Sequence, residues 1–225
     1  FGGTLTVEDA WQLGYSHLVL ALGAGLPKAL NIQHSLAPGM RQASDFLMQL
    51  HTLGAQGDQN RIPLTLEMPC VVIGAGLTAV DTATEAQTYY LHLVQLVFLR
   101  LSRLIDARGE SVVRSYFSDQ AYQRLYRWFL HGQAVQQEKH RASQLGRSAC
   151  FRALLNAWGG VRMVYRRALE SAPAYRNNHD ELQAALESGV IIQTHTKICA
   201  AGVDATGAVN RLRCLQPWSI LEQSA

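Results

Sequence analysis

Apolar positions along the chain recur with two periods. Unbroken apolar runs occur at "HLVLALGA" (17–24) and "CVVI" (70–73), the pattern of strands covered on both faces. Elsewhere they recur three and four apart. Leu91, Val94, Phe98, Leu101 and Ile105 form such a row, the stripe of an amphipathic helix. Thr6 reads as the N-cap of a short helix over 7–13, ended by Gly14, and Pro38-Gly39 marks a turn. Residues 41–53 suit a helix with Phe46, Leu47, Leu50 and Leu53 on one side, and the polar stretch 54–66 reads as a linker.

A strand over 69–73, a glycine turn at 74–76 and a helix from Leu77 come next. The apolar row continues as one long helix or as two joined near Gln87. Further helical patterns cover 118–142, with Tyr122, Leu125, Tyr126 and Phe129 as the apolar face, and 147–157. Gly159-Gly160 breaks them, and "VRMVYRR" (161–167) reads as a strand. A helix over 180–188 stops at Gly189. "VIIQTHTKICAAGV" and "AVNRLRCLQP" read as strands turned at Asp204-Ala205-Thr206-Gly207. This order predicts an α/β fold, a Rossmann-like dinucleotide-binding domain with a parallel sheet over 67–217 and a large helical insertion at 88–157. Residues 1–66 precede it and 218–225 form a tail.

Composition adds little to this. The chain has 225 residues, 48% hydrophobic and 16% charged, with a formal net charge of +3, as expected of a globular protein. Cysteines stand at 70, 150, 199 and 214. None make a Cys-x-x-Cys pair, so they read as reduced, mostly buried thiols of a cytoplasmic protein. The most apolar stretch, near 91–101, carries His92, Gln95 and Arg100 and is too polar to span a bilayer, so no membrane association is expected. The start at Phe1 suggests a piece of a longer protein.

The chemistry concentrates in "CVVIGAGLTA". In a dinucleotide fold the first glycine makes the tight turn, the second lets the backbone approach a pyrophosphate, and the third small residue permits close helix–strand packing. Gly74, Gly76 and Ala79 fill these places, with Leu77 and Thr78 in the first helical turn, where backbone N–H groups and the helix dipole favour an anion. The acid expected some twenty residues later for the ribose of NAD is missing. If 88–157 is inserted, the second strand ends in Arg166-Arg167 instead. Two guanidiniums there suit the 2′-phosphate of NADP.

"VVIGAGLTAVDTATEA", "VRMVYRRALESAPA" and "DELQAALESGVIIQTHTKI" resemble, in that order, the NADPH-binding domain of the glutamate synthase small subunit and its relatives, which are FAD-dependent pyridine nucleotide oxidoreductases. "GYSHLVLALGAGLPKAL" resembles the stretch where such a chain leaves its FAD domain, with Ala21-Leu22-Gly23-Ala24 at the crossover, and "APGMRQASDFLMQL" resembles the link that follows. The resemblance implies that this domain binds NADPH and presents its nicotinamide to an FAD held by a neighbouring domain of the same parent protein. It implies that Gly74, Gly76, Thr78 and Ala79 line the pyrophosphate, and Arg166 and Arg167 the 2′-phosphate. Leu77 stands where that family usually has asparagine. The final electron acceptor, such as an iron–sulfur partner, is not encoded in this sequence.

Residues 88–152 hold ten basic and four acidic side chains, a balance of +6 that leaves −3 for the rest, and they are rich in aromatics. Three readings stand: a helical subdomain with an aromatic core, a docking surface for another part of the parent enzyme, and nucleic-acid binding, which the helical core spacing of the aromatics disfavours. His131 and His140 lack partners at metal-ligand spacing. Asp81 and Glu85 read as ordinary helix positions, and Ser148-Ala149-Cys150 has no partnered histidine, so no catalytic residue is assigned. The expected function is hydride transfer from NADPH to a flavin bound elsewhere. The alternative is a degenerate Rossmann module acting as an interaction or sensing domain through its basic insertion.

Overall fold

A computed structural model of the chain describes residues 4–20, 30–52 and 64–216. The chain divides into two compact units, Phe1–Leu30 and Asn31–Ala225. In the first, α1 (Val7–Gln12) starts at a full capping box. The Thr6 hydroxyl accepts the Asp9 N–H at 3.2 Å, and the Asp9 carboxylate accepts the Thr6 N–H at 2.8 Å. Residues 17–20 carry no strand, and the remainder of the expected strand, with the Ala21–Ala24 crossover, lies outside the described residues.

The second unit contains α2 (Ala43–Thr52), β1 (Cys70–Ile73), α3 (Leu77–Arg108), α4 (Glu110–Ser115), α5 (Asp119–Gln144), α6 (Arg152–Ala157) and β2 (Val161–Val164). A 3₁₀ turn (Leu169–Ser171), α7 (Pro173–Asn177), α8 (His179–Ser188), β3 (Ile191–Gln193), β4 (Lys197–Val203) and β5 (Val209–Leu215) follow. Its α2 falls in the same unit as the sheet, with Phe46 and Leu50 in the common core. Leu53 of the expected helix, residues 54–63 of the expected linker, and the expected tail lie outside the described residues.

The fold is mixed α/β. β1, β2 and β3 form a parallel sheet in that order, with Cys70 opposite Val161, Ile73 opposite Val164, and Val164 opposite Gln193. Parallel neighbours need long crossovers. The first runs through α3 to α6 and the second through α7 and α8. Helix α3 is a single helix that passes position 88 without a break. Its Ala79, Ala83 and Ala86 are buried, so its backbone can lie close to the sheet, and Val72, Val161 and Met163 fill the space beneath. β1 is not covered on both faces as its apolar run suggested. Val71 and Ile73 are exposed, because the described helices bury only the face that carries Val72.

Helix α5 crosses α3. A Cβ on Gly132 would lie 2.6 Å from the Phe98 Cβ and closer still to the Val94 carbonyl, so the two backbones meet there. The Phe98 and Phe129 rings pack with centroids 5.1 Å apart. The buried line of α5 runs through Tyr122, Gly132, Val135, Glu138 and Ala142. Tyr126, expected on the apolar face, is instead exposed. β4 and β5 form an antiparallel hairpin whose tip is tied by Asp204, its carboxylate accepting from the Thr206 and Ala208 N–H groups at 2.8 and 3.2 Å. The predicted single strand over 190–203 is two, broken at 194–196. The predicted strand over 161–167 ends at Val164.

Candidate functional site

The glycine turn closes at the carboxyl end of β1. Gly74 has φ 137°, a conformation open to glycine and strained for any residue with a Cβ. Its N–H donates to the Val164 carbonyl at 3.0 Å, which extends the β1–β2 pairing one residue into the turn. Ala75 is buried, and its carbonyl accepts the Ala174 N–H at 3.1 Å, fastening the turn to α7. Gly76 is the N-cap of α3, with no side-chain cap. Its carbonyl accepts the N–H groups of Ala79 and Val80 at 2.9 and 3.1 Å, and the first turn of α3 has no acidic residue. The helix therefore presents N–H groups with no carboxylate to neutralise them, which favours an anion.

The side chains around the turn divide sharply. Ala79 is buried, its Cβ 3.6 Å from where a Cβ on Gly74 would stand, an ordinary contact distance. Leu77 and Thr78 are exposed, and among the described residues a Cβ on Gly76 would meet no atom beyond its own chain neighbours within 4 Å. Among the described residues, Gly76 thus leaves room for a phosphate group to approach.

Arg166 and Arg167 lie just past β2, next to the glycine turn. The anchoring pair, Gly74 to Val164, stands two residues before Arg166. Both arginines are exposed, and among the described residues neither forms an ion pair. The segment carrying them is held by its backbone. The Tyr165 N–H donates to the Gln193 carbonyl at 2.9 Å, the Thr196 N–H to the Tyr165 carbonyl at 2.9 Å, and the His195 N–H to the Arg167 carbonyl at 3.2 Å. All seven residues singled out in the sequence therefore gather at the carboxyl ends of β1 and β2. His195 joins them from the end of β3. No sequence signal marked it, because 190–203 read as one strand and no glycine stands at its φ of 52°.

The helical part has its own electrostatics. Five of its arginines are engaged by carboxylates: Arg114 by Asp119, Arg124 and Arg127 by Glu67, and Arg141 and Arg147 by Glu138. Lys139 bonds the Gln95 amide oxygen. Much of the positive charge counted in 88–152 is thus matched within the protein. Glu138 is buried in α5. The Arg147 guanidinium at 2.9 Å, the Cys150 N–H at 3.1 Å and Arg141 hold its carboxyl down to about 2. The His131 ring lies 4.0 Å above Trp158, nearly parallel, with Nδ1 2.7 Å from the buried Tyr90 hydroxyl. Burial and then Arg127 lower it to about 4.

Among the described residues no group of three or more His, Cys, Asp or Glu is placed to hold a metal, and no helix is long and apolar enough to cross a membrane. The four cysteines are unbonded. Cys150 and Cys214 are exposed rather than buried. Cys70 in β1 is partly covered, and burial pushes its thiol up to about 11. No protein-family model matches the sequence. The chain is similar to the "Uncharacterized protein RP006" of Rickettsia prowazekii (strain Madrid E), 29% identical over 208 residues that make up 92% of the chain. It spans about a quarter of that protein's length, 27%.

Proposed function

We propose that residues 67–217 belong to a Rossmann-like NADPH-binding domain of an FAD-dependent oxidoreductase similar to the glutamate synthase small subunit. The observation that carries the reading is the Gly74–Val164 hydrogen bond, which sets the glycine turn beside the Arg166–Arg167 segment despite the 91 residues between positions 74 and 166. An uncapped helix N-terminus and an arginine pair on adjacent strand ends match the two anionic groups of one dinucleotide, its pyrophosphate and its 2′-phosphate. The strand order β1-β2-β3, with helical crossovers, is that of half a doubly wound sheet.

The residues present fit the cofactor. The room left at Gly76 among the described residues admits the pyrophosphate, and Leu77 contributes only its backbone, since its apolar side chain has no donor. Bound NADPH supplies a hydride from its nicotinamide. The chain's part is to bind and orient the nucleotide, and the FAD belongs to another domain of the parent protein. In this reading a cytoplasmic enzyme contributes one module here and completes its reaction elsewhere. Calorimetric titration with NADPH and NADH tests it. Micromolar, NADPH-selective binding is expected, and no binding of either nucleotide overturns it.

A second reading has its own observation. Leu104, Val112, Tyr116 and Phe117, at the end of α3, in α4 and just beyond it, are exposed, Tyr116 by 68%. Exposed apolar residues of this size suit an interaction module that acts through its helices. A chain that binds no nucleotide and keeps its fold would favour this reading.

A further inference from the structure

The corner between β3 and β4 holds His195 at φ 52°, in the left-handed region, where histidine, asparagine and aspartate are the side chains most often found. The corner is fixed on both sides. Thr196 is buried, its hydroxyl donates to the Thr194 carbonyl at 2.9 Å, and the Gln216 amide lies 3.3 Å from that hydroxyl. The Thr196 and His195 N–H groups donate to the Tyr165 and Arg167 carbonyls. With Thr196 turned inward, His195 is left exposed at the end of β3, bonded through its backbone to Arg167. Backbone strain of this kind persists where the surroundings over-determine it, and it gathers at ligand sites. Asparagine or glycine would meet the backbone demand at lower cost.

We propose that His195 is a third side chain of the phosphate site formed by Arg166 and Arg167, and that it sets the preference for a 2′-phosphorylated nucleotide. The inference rests on the NADPH reading above. A phosphate monoester offers three terminal oxygens to donors. Two arginines from one strand end and a histidine from the next approach such a group from adjacent positions. An imidazole carries an N–H donor in either protonation state. The ribose hydroxyl of NADH offers no comparable anion, so the contribution is confined to NADPH.

The test is calorimetric titration of the wild-type chain, His195→Ala and His195→Gly with NADPH and with NADH, beside denaturant melts of all three. NADPH affinity is expected to fall about tenfold in both variants, the loss of one charge-assisted hydrogen bond, with NADH affinity changed less than about twofold. His195→Gly is expected to raise the denaturation midpoint, because it relieves the positive φ, so its weaker binding cannot come from a weakened fold. Wild-type protein that prefers NADPH, together with a His195→Gly variant whose NADPH affinity is unchanged or falls in step with NADH, overturns the inference alone. Wild-type protein that binds neither nucleotide overturns the NADPH reading, and the inference with it.

Discussion

The Gly74 N–H donates to the Val164 carbonyl at 3.0 Å, and this bond joins two parts of the sequence that the helical region separates. It places the N-terminus of α3 and the arginines beyond β2 on neighbouring strand ends. The two glycines of the turn do different work, and substitution separates them. Gly74→Ala forces a Cβ onto φ 137° and is expected to destabilise the chain by about 1–3 kcal/mol. Gly76→Ala adds a methyl that, among the described residues, meets no atom beyond its chain neighbours within 4 Å, at an extended φ of −93°. It is expected to cost less than about 1 kcal/mol of stability and at least tenfold in nucleotide affinity. Melting curves with NADPH titrations read both effects. A Gly76→Ala variant with full NADPH affinity would show that no pyrophosphate lies against this turn.

The arginine pair is tested by charge reversal. Arg166→Glu with Arg167→Glu puts two carboxylates where the 2′-phosphate of NADPH would lie. A loss of about a hundredfold for NADPH is expected, with less than about threefold for NADH. Both side chains are exposed and lack ion-pair partners among the described residues, so the melting temperature should hardly move. Equal losses for the two nucleotides would remove the arginines from the 2′-phosphate.

How much of this was legible in the sequence depended on range. Local signals carried well. Thr6 caps α1, Gly76 opens α3, and Gly189 ends α8 in the left-handed conformation. Each depends on bonds within one turn of chain. Strand ends did not carry. Tyr165 to Arg167 continue the apolar–basic pattern of β2, but its ladder stops at Val164, since β1 turns away at Gly74 and β3 ends at Gln193. The break at 194–196 is likewise made by bonds to Tyr165 and Arg167, far off in sequence, and His195 stayed hidden with it. Exposure failed for the same reason. Tyr126 sits at helical spacing with Tyr122 and Phe129, yet α3 crosses α5 at Gly132 and leaves it outside.

That crossing yields a stability prediction. A Cβ on Gly132 would sit 2.6 Å from the Phe98 Cβ and nearer still to the Val94 carbonyl, a backbone atom that cannot swing aside. Alanine is favoured over glycine within a helix by about 1 kcal/mol. Overpacking at a backbone contact should outweigh that gain, so Gly132→Ala is expected to lose about 1–3 kcal/mol net. Urea denaturation measures it. A stabilised variant would mean that α3 and α5 stand further apart than described.

The buried groups of the helical part predict how stability responds to acid. The His131 value is lowered from 6.5 to about 4 by burial and Arg127, and Nδ1 of the ring shares a hydrogen bond with the Tyr90 hydroxyl at 2.7 Å. A lowered histidine value means that the unfolded chain binds the extra proton first. Its stability contribution is therefore complete above pH 6.5 and declines as pH falls towards about 4. Glu138 is lowered from 4.5 to about 2, first by Arg147 and then by the Cys150 N–H. Its contribution is complete above pH 4.5 and is lost as pH falls towards about 2. The two windows overlap only between about 4 and 4.5, so single variants separate them. His131→Phe keeps a ring on Trp158 without a titrating group, at a pH-independent cost from the unpaired Tyr90 hydroxyl. It should flatten the decline between pH 6.5 and 4. Glu138→Gln should be less stable than wild type at pH 6, with the gap closing between pH 4.5 and 2. Denaturant midpoints across that range decide the matter. A Glu138→Gln gap that stays constant down to pH 2 would mean that the carboxylate's charge contributes nothing, and that its role is that of a neutral hydrogen-bond acceptor for the chain leaving α5.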